Sequence, residues 1–395
     1  MINRRIETVC TALFTIILIL LNSSLLASTE KERISVESLG KIVVLEEGRK
    51  KPLDTYARNK LIQFSGKQKV SGLSALQWIS QVIFNPDKAD RDLIFLIDNP
   101  EVADAMGISP RAKRRYSFFE LYSASDKLSE LSNEVMKKDA SELNAFDRVV
   151  INIDRNLQEY FLIRSTFSFL EPLPYLAVSD STLSQKLGVS ADQPLSYFNL
   201  MSRAEVITEG MKKIQQTGID SLNPEYIALL DLTRRMYDLE KSLENPHPHL
   251  IPGKEANDGQ WLGLWGLVNQ YKSAVYDQKS LMYMVKIRDA YLNGDQQKFD
   301  ESVNHFKKIA RQDASAEEKL PDPSLELFYN KLNPFFYAKV LYGFAALLSL
   351  LSIALLWKKI SAVSFCFVLA GVILHTTGII SRMIIMSHPQ NLPQA

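Results

Sequence analysis

Two apolar runs, Pro334 to Trp357 and Ile360 to Ile380, stand back to back with only Lys358 and Lys359 between them. Each has about the 20 residues a helix needs to cross a hydrocarbon core ~30 Å thick. Backbone polar groups in hydrocarbon must be satisfied within the chain, so the pair reads as a hairpin of membrane helices. The expected spans are 334–357 and 360–380, followed by a short tail, 381–395. Phe328, Tyr329, Phe335, Phe336 and Tyr337 cluster where the first span begins, as an aromatic belt at an interface would.

The amino terminus carries a second signal. Arg4 and Arg5 precede an apolar run from Val9 to Leu21, and Ala27 follows a short polar stretch. That order matches a secretory signal, residues 1–27, and an uncleaved N-terminal anchor remains the alternative. Either reading exports the middle, 28–330, and turns Lys358 and Lys359 toward the cytoplasm. The expected location is the inner membrane, with the main domain on the periplasmic side. Lysines and arginines exceed acids by one, giving a net charge of +1 and no footprint for nucleic acid. Lipid is the expected contact at the hairpin.

Both cysteines, Cys10 and Cys366, lie in apolar segments, so the exported part has no thiol chemistry. A Cys-x-x-Cys-His haem attachment site is missing. Neither a Gly-x-Ser-x-Gly elbow, a phosphate-binding glycine loop nor a His-Glu-x-x-His helix is present. Nothing supports an enzyme that makes or breaks bonds alone.

The middle reads as mainly helical with a few short N-terminal strands. β-branched residues at Ile34–Val36 and Lys41–Leu45 suggest strands, broken at Glu46-Glu47-Gly48. Helices are expected over Thr55–Phe64, Gly72–Asn85, Ser125–Leu170, Ser202–Gln216 and Pro224–Glu244. The last would bury Ile227, Leu230, Leu232, Met236 and Leu239. Leu93–Asp98 reads as a buried run, and a short helix ending at Gly107 follows it. Trp261–Gln312 suggests paired helices with Phe299, Val303 and Phe306 on one face. That pair resembles one tetratricopeptide-type unit, with no second copy; a plain helical hairpin packed into the domain is the other reading.

Three polar features are candidates for function. His375 is an ionisable group inside the second span, costly there and a functional candidate for that reason. It suits haem ligation, or a hydrogen bond to Thr376, Thr377 or a neighbouring helix. His247 and His249 have the spacing to share a metal, with no third ligand nearby in sequence. Arg111 to Arg115, Arg-Ala-Lys-Arg-Arg, is the one dense basic run: a solvated loop, or a contact for an anion such as a lipid headgroup or a haem propionate.

Three stretches carry a resemblance. GRKKPLDTYAR, Gly48 to Arg58, resembles the GR-x-KPL-[DNH]-T pattern of certain bacterial cytochrome c biogenesis proteins. These are haem-handling membrane proteins of the system II pathway, in the form with an exported domain fused ahead of a haem-channel half. LSALQWISQVIFNPDKADRDLIFLIDNPEVADAMGI, Leu73 to Ile108, resembles that family's helix, Asn-Pro turn and following Asn-Pro-Glu segment. HTTGIISRMIIMSHPQNLP, His375 to Pro393, resembles its helix end, which in the family leads to an Asn-Leu-Tyr-Glu motif and a tryptophan-rich channel. Here Pro393 follows Asn391-Leu392, and the tryptophan-rich loop is absent from the sequence. The resemblance therefore implies a non-catalytic subunit of a cytochrome c assembly complex. It would act with a separate haem-channel subunit and, indirectly, with apocytochrome c. It implies haem as cargo or cofactor shared with that partner, and His375 and His388 as candidate haem-binding residues. The alternative is a membrane-anchored periplasmic adaptor that binds proteins through its helical pair.

Overall fold

The computed structural model describes residues 34–217, 223–243, 247–252, 261–269, 279–314, 320–356 and 358–386. The signal or anchor expected at 1–27, and residues 387–395 of the expected tail with His388, lie outside them. The fold is mainly helical with a few short strands, as the sequence pattern predicts; the strands pair as three two-stranded antiparallel ribbons, and Ile34–Val36, expected as a strand, is not one.

The chain opens with a hairpin, β1 (Val43–Glu46) and β2 (Arg49–Pro52). Glu47 and Gly48 both have positive φ, the geometry of a two-residue turn matched to strand twist. Pro52 then starts α1 (Leu53–Ser65), which buries Leu53, Tyr56, Ala57, Leu61 and Phe64 at helical spacing. Gly66, left-handed, ends it. A ribbon of β3 (Lys69–Val70) and β4 (Leu73–Ser74) leads into α2 (Ala75–Phe84). Ser74 and Gln77 form a reciprocal capping box there. This helix is buried on nearly every side and is the axis of the core.

The run after it forms β5 (Phe95–Leu96), paired with β6 (Arg115–Tyr116). α3 (Phe118–Ser123) and α4 (Ser125–Val135) follow, then α5 (Ala145–Arg164). The single helical stretch expected over Ser125–Leu170 is thus two helices and a final 3-10 turn. Asn144 and Asp147 cap the second one reciprocally, which forces a fresh start at Ala145. Phe64, Phe95, Phe118 and Tyr160 stack edge and face across these elements, with centroids 4.7–6.2 Å apart.

α6 (Pro224–Ser242) buries Leu229 and Leu232, whereas Ile227, expected inside, is 57% exposed. α7 (Lys279–Asn293) and α8 (Gln296–Asp313) pair as expected, with Phe299, Val303 and Phe306 fully buried. Tyr291 packs on Phe84 at 5.0 Å, so the pair is seated on the core helix. It behaves as a hairpin within the domain.

α9 (Ser324–Leu332) leads to the apolar end. Asn333, at φ 43°, turns the corner into α10 (Pro334–Leu355), and α11 (Lys358–Met386) returns alongside it. Both are long and apolar enough to cross a membrane. The second helix runs beyond the expected end at Ile380 to Met386. Their seam is made of small residues: Ser364, Gly371 and Gly378 are the buried positions of α11, seven apart. Ser364 donates to the Ala345 carbonyl at 2.7 Å, and Tyr342 lies over Gly371.

A Cβ at Gly371 would meet the Tyr342 ring at 2.6 Å, while one at Gly343 would meet nothing within 4 Å. Gly371→Leu should therefore destabilise the hairpin by about 1–3 kcal/mol through overpacking. Gly343→Leu should leave it unchanged. Thermal unfolding of both variants in detergent checks this.

Candidate functional site

His375 sits one turn beyond Gly371 on α11, beside the seam and outside it. Phe335 and Tyr342, seven residues apart on α10, bracket its ring. The Phe335 centroid is 5.3 Å away with the rings perpendicular, and that of Tyr342 is 6.2 Å away. The imidazole is exposed on the flank of the hairpin. Among the described residues no hydrogen bond reaches it. The Thr377 hydroxyl turns instead to the Ile373 carbonyl of its own helix, at 2.8 Å. An imidazole left unpaired in hydrocarbon costs on the order of 1–3 kcal/mol. Gly378, one turn on, packs against Pro334, the first residue of α10. His375 therefore lies at the end of the hairpin nearest the helical domain.

The Gly48–Arg58 stretch holds that end to the domain. Arg49 pairs with Glu326 of α9 at 2.9 Å. One turn along the same helix, Asn330 donates to Asp54 at 3.1 Å and to Thr55 at 2.8 Å. Arg58 completes the set by pairing with Asp54 at 2.8 Å. Glu326 and Asn330 share one face of α9, so the helix docks by two polar contacts on the hairpin turn and the start of α1.

Behind this junction lies a charge network in which Glu46, Lys51 and Lys60 are buried and Glu159 keeps partial access to water. Lys60 of α1 bridges Glu46 of β1 and Glu159 of α5, each at 2.8 Å. Lys51 reaches Glu46 at 2.7 Å. Burial alone would raise the Glu46 carboxyl, but hydrogen bonds and charge from Lys51 and Lys60 outweigh it and hold it below the ordinary carboxylate range. The Tyr56 phenol is fully buried beside the network, with no hydrogen bond among the described residues. Burial and the nearby Glu46 and Glu159 charges raise its pKa well above the usual phenol value.

His247 and His249 border the same network. The His249 carbonyl accepts from Leu45 of β1 at 3.0 Å, and the His247 carbonyl accepts from Thr166 at 3.1 Å. Their rings stack at 4.4 Å, and the His247 Nδ1 is buried without a hydrogen-bond partner among the described residues. Among the described residues no three His, Cys, Asp or Glu side chains converge as a metal would require. The His247 imidazole is pushed down to about 4, first by burial, then by His249 and Lys60. It is neutral near pH 7.

Sequence reasoning singled out His375 and the histidine pair but missed Lys60, Glu159, Glu326 and Asn330. A signal for the last two exists: Glu326 and Asn330 are polar positions one turn apart on a helix whose other residues from Leu325 to Leu332, Lys331 apart, are apolar or aromatic. Lys60 carries no such mark. His388 lies outside the described residues. No protein-family model matches the chain, and no curated protein matches it.

Removing one partner of a buried ion cluster strands the others. Lys60→Met should cost about 3–5 kcal/mol of stability, read by chemical denaturation in detergent. A second expectation concerns pH. The unfolded His247 imidazole binds its proton near 6.5 and the folded one near 4. Falling pH thus protonates the unfolded chain first, so stability is full above about 6.5 and declines toward 4. His247→Asn should flatten the fall in melting temperature between pH 7 and 5. Loss of the Glu46 contribution belongs to lower pH, below the ordinary carboxylate range.

Proposed function

We propose that this chain is a non-catalytic subunit of a cytochrome c assembly complex in the inner membrane. It works with a haem-channel partner that supplies the tryptophan-rich loop. In this reading the helical domain lies on the periplasmic side, and the α10–α11 hairpin docks beside the partner's helices. Haem is the cargo, handed on toward apocytochrome c.

The observation that carries the reading is the placement of His375. It offers an unpaired imidazole on an open flank, held in orientation by Phe335 and Tyr342, at the hairpin end nearest the domain. That arrangement fits a haem ligand shared with a second chain: the ring is oriented from one side and unobstructed by any hydrogen bond. The Gly48–Arg58 stretch, which carries the family resemblance, has a matching task. It fixes the domain on the helix that enters the hairpin. The adaptor alternative draws less support, because the apolar face of the α7–α8 pair is filled by the domain core.

Purification from native membranes in mild detergent tests the proposal. A multi-span partner with a tryptophan-rich loop, identified by mass spectrometry, and haem visible in the absorption spectrum are expected to accompany the chain. His375→Ala should lower the haem signal about tenfold, in line with loss of one ligand, while the partner still co-purifies. Haem at the wild-type level in that variant removes His375 from the path. A chain free of both haem and such a partner overturns the assembly reading.

A further inference from the structure

The basic run at Arg111–Arg115 forms a wall of an open cavity. Arg115 is anchored by bonds to the Ser65 carbonyl at 2.6 Å and the Ile94 carbonyl at 3.3 Å. Arg114, at φ 50°, donates to the Asp98 carbonyl. Arg111 pairs with Glu120 and lies over the Tyr116 ring. The loop is therefore a built corner. The cavity it borders has a volume of about 710 Å³, and Arg91, Leu93, Lys113 and Phe119 line its other sides. A second cavity of about 540 Å³ adjoins it, sharing Phe119 and Glu120 with the first.

Charge in the first cavity is unbalanced, whereas the second adds one residue of each sign, Asp126 and Lys127. Glu120 is the one carboxylate lining the first cavity, and Arg111 and Ser117 already bond it. Arg91, Lys113, Arg114 and Arg115 have no carboxylate partner among the described residues. Arg91 lies over the face of Phe119 at 5.6 Å, which leaves its guanidinium fork open. The floor is apolar: Phe119 is 58% exposed and Leu93 43%. Such side chains beside unpaired cations mark a surface for a ligand with both acids and apolar groups.

Position separates a polypeptide from a lipid. The first turn of α1 bonds to α9, the helix leading into the membrane hairpin, whereas its last carbonyl, that of Ser65, holds Arg115. Thirteen residues at about 1.5 Å each place the groove roughly 20 Å along α1 from that junction. The groove is at the far end of the helix from the hairpin.

We propose that this groove binds an extended acidic segment of a partner polypeptide. Its carboxylates rest on Arg91 and Lys113, with the Arg115 charge behind them, and an apolar side chain rests on Phe119 and Leu93. This site is independent of the haem reading. The test uses the full-length chain in neutral detergent and a dye-labelled peptide of alternating glutamate and leucine, followed by fluorescence anisotropy. Saturable binding that weakens with added salt is expected. The variant R91E/K113E alters only exposed side chains and should melt like wild type, while weakening binding about tenfold. Phe119→Ser should weaken it about fivefold. Equal binding of the lysine–leucine analogue, or wild-type affinity in R91E/K113E, overturns the proposal. So does absence of saturable binding. Binding to phosphatidylglycerol vesicles that the double variant abolishes, with none to the peptide, makes the groove a headgroup site instead and also overturns it.

Discussion

Lys60 sits between Glu46 and Glu159 with almost no access to water. A buried ion cluster is tolerable only when every member is paired in good geometry, so it admits one arrangement of the elements that supply it. Those elements are the first hairpin, the helix after it and the long α5. Fixing them fixes both ends of α1. One end presents Asp54 and Thr55 to the helix that enters the hairpin, and the other presents the Ser65 carbonyl to Arg115. The histidine segment closes the network from the side by adding one backbone bond to β1.

Much of this fold is legible where hydrophobic spacing is unambiguous. The 3–4 spacing of Leu53, Tyr56, Ala57, Leu61 and Phe64, the dense apolar run of α2 and the two long C-terminal runs each have one good burial solution. Legibility fails where several solutions fit. α6 has apolar residues around much of its girth: Leu232 is buried and Leu230, Met236 and Leu239 pack on the core as expected, but Leu229 is buried and Ile227 faces outward. β2 is Arg-Lys-Lys-Pro, a poor strand by propensity. It pairs because the Glu47-Gly48 turn folds it back onto β1 and because Lys51 finds Glu46 there. The break before α5 was legible in principle, since Asn144 and Asp147 have the spacing of a reciprocal cap.

The candidate site divides in the same way. An ionisable residue in an apolar run is visible at once, so His375 could be named from the sequence. Its surroundings could not, because they depend on which face of α11 meets α10. That face is set by size, with Ser364, Gly371 and Gly378 admitting the neighbouring backbone and the Tyr342 ring. Lys60 had no mark at all: a lysine on a helix normally faces water, and only the fold brings two carboxylates to it. The histidine pair shows the reverse case. Close spacing suggested joint ligation, yet the rings stack and Nδ1 of His247 points into protein.

The seam also explains why His375 stands apart from the structural residues. Hairpin packing uses the glycines, the Ser349–Ser364 hydroxyl contact at 2.7 Å and the carbonyl of Ala345. All of these are complete without the imidazole. An aliphatic side chain at the same position would pack between Phe335 and Tyr342 and carry no desolvation cost. Within the hairpin, then, the histidine is a net penalty. Water and headgroups at the interface can meet the open flank, and so can a second chain or a bound group, which is what the proposed role draws on. The haem reading therefore rests on energetic cost and position together: an unsatisfied donor and acceptor, oriented by two aromatic rings, at the point where the domain hands over to the membrane.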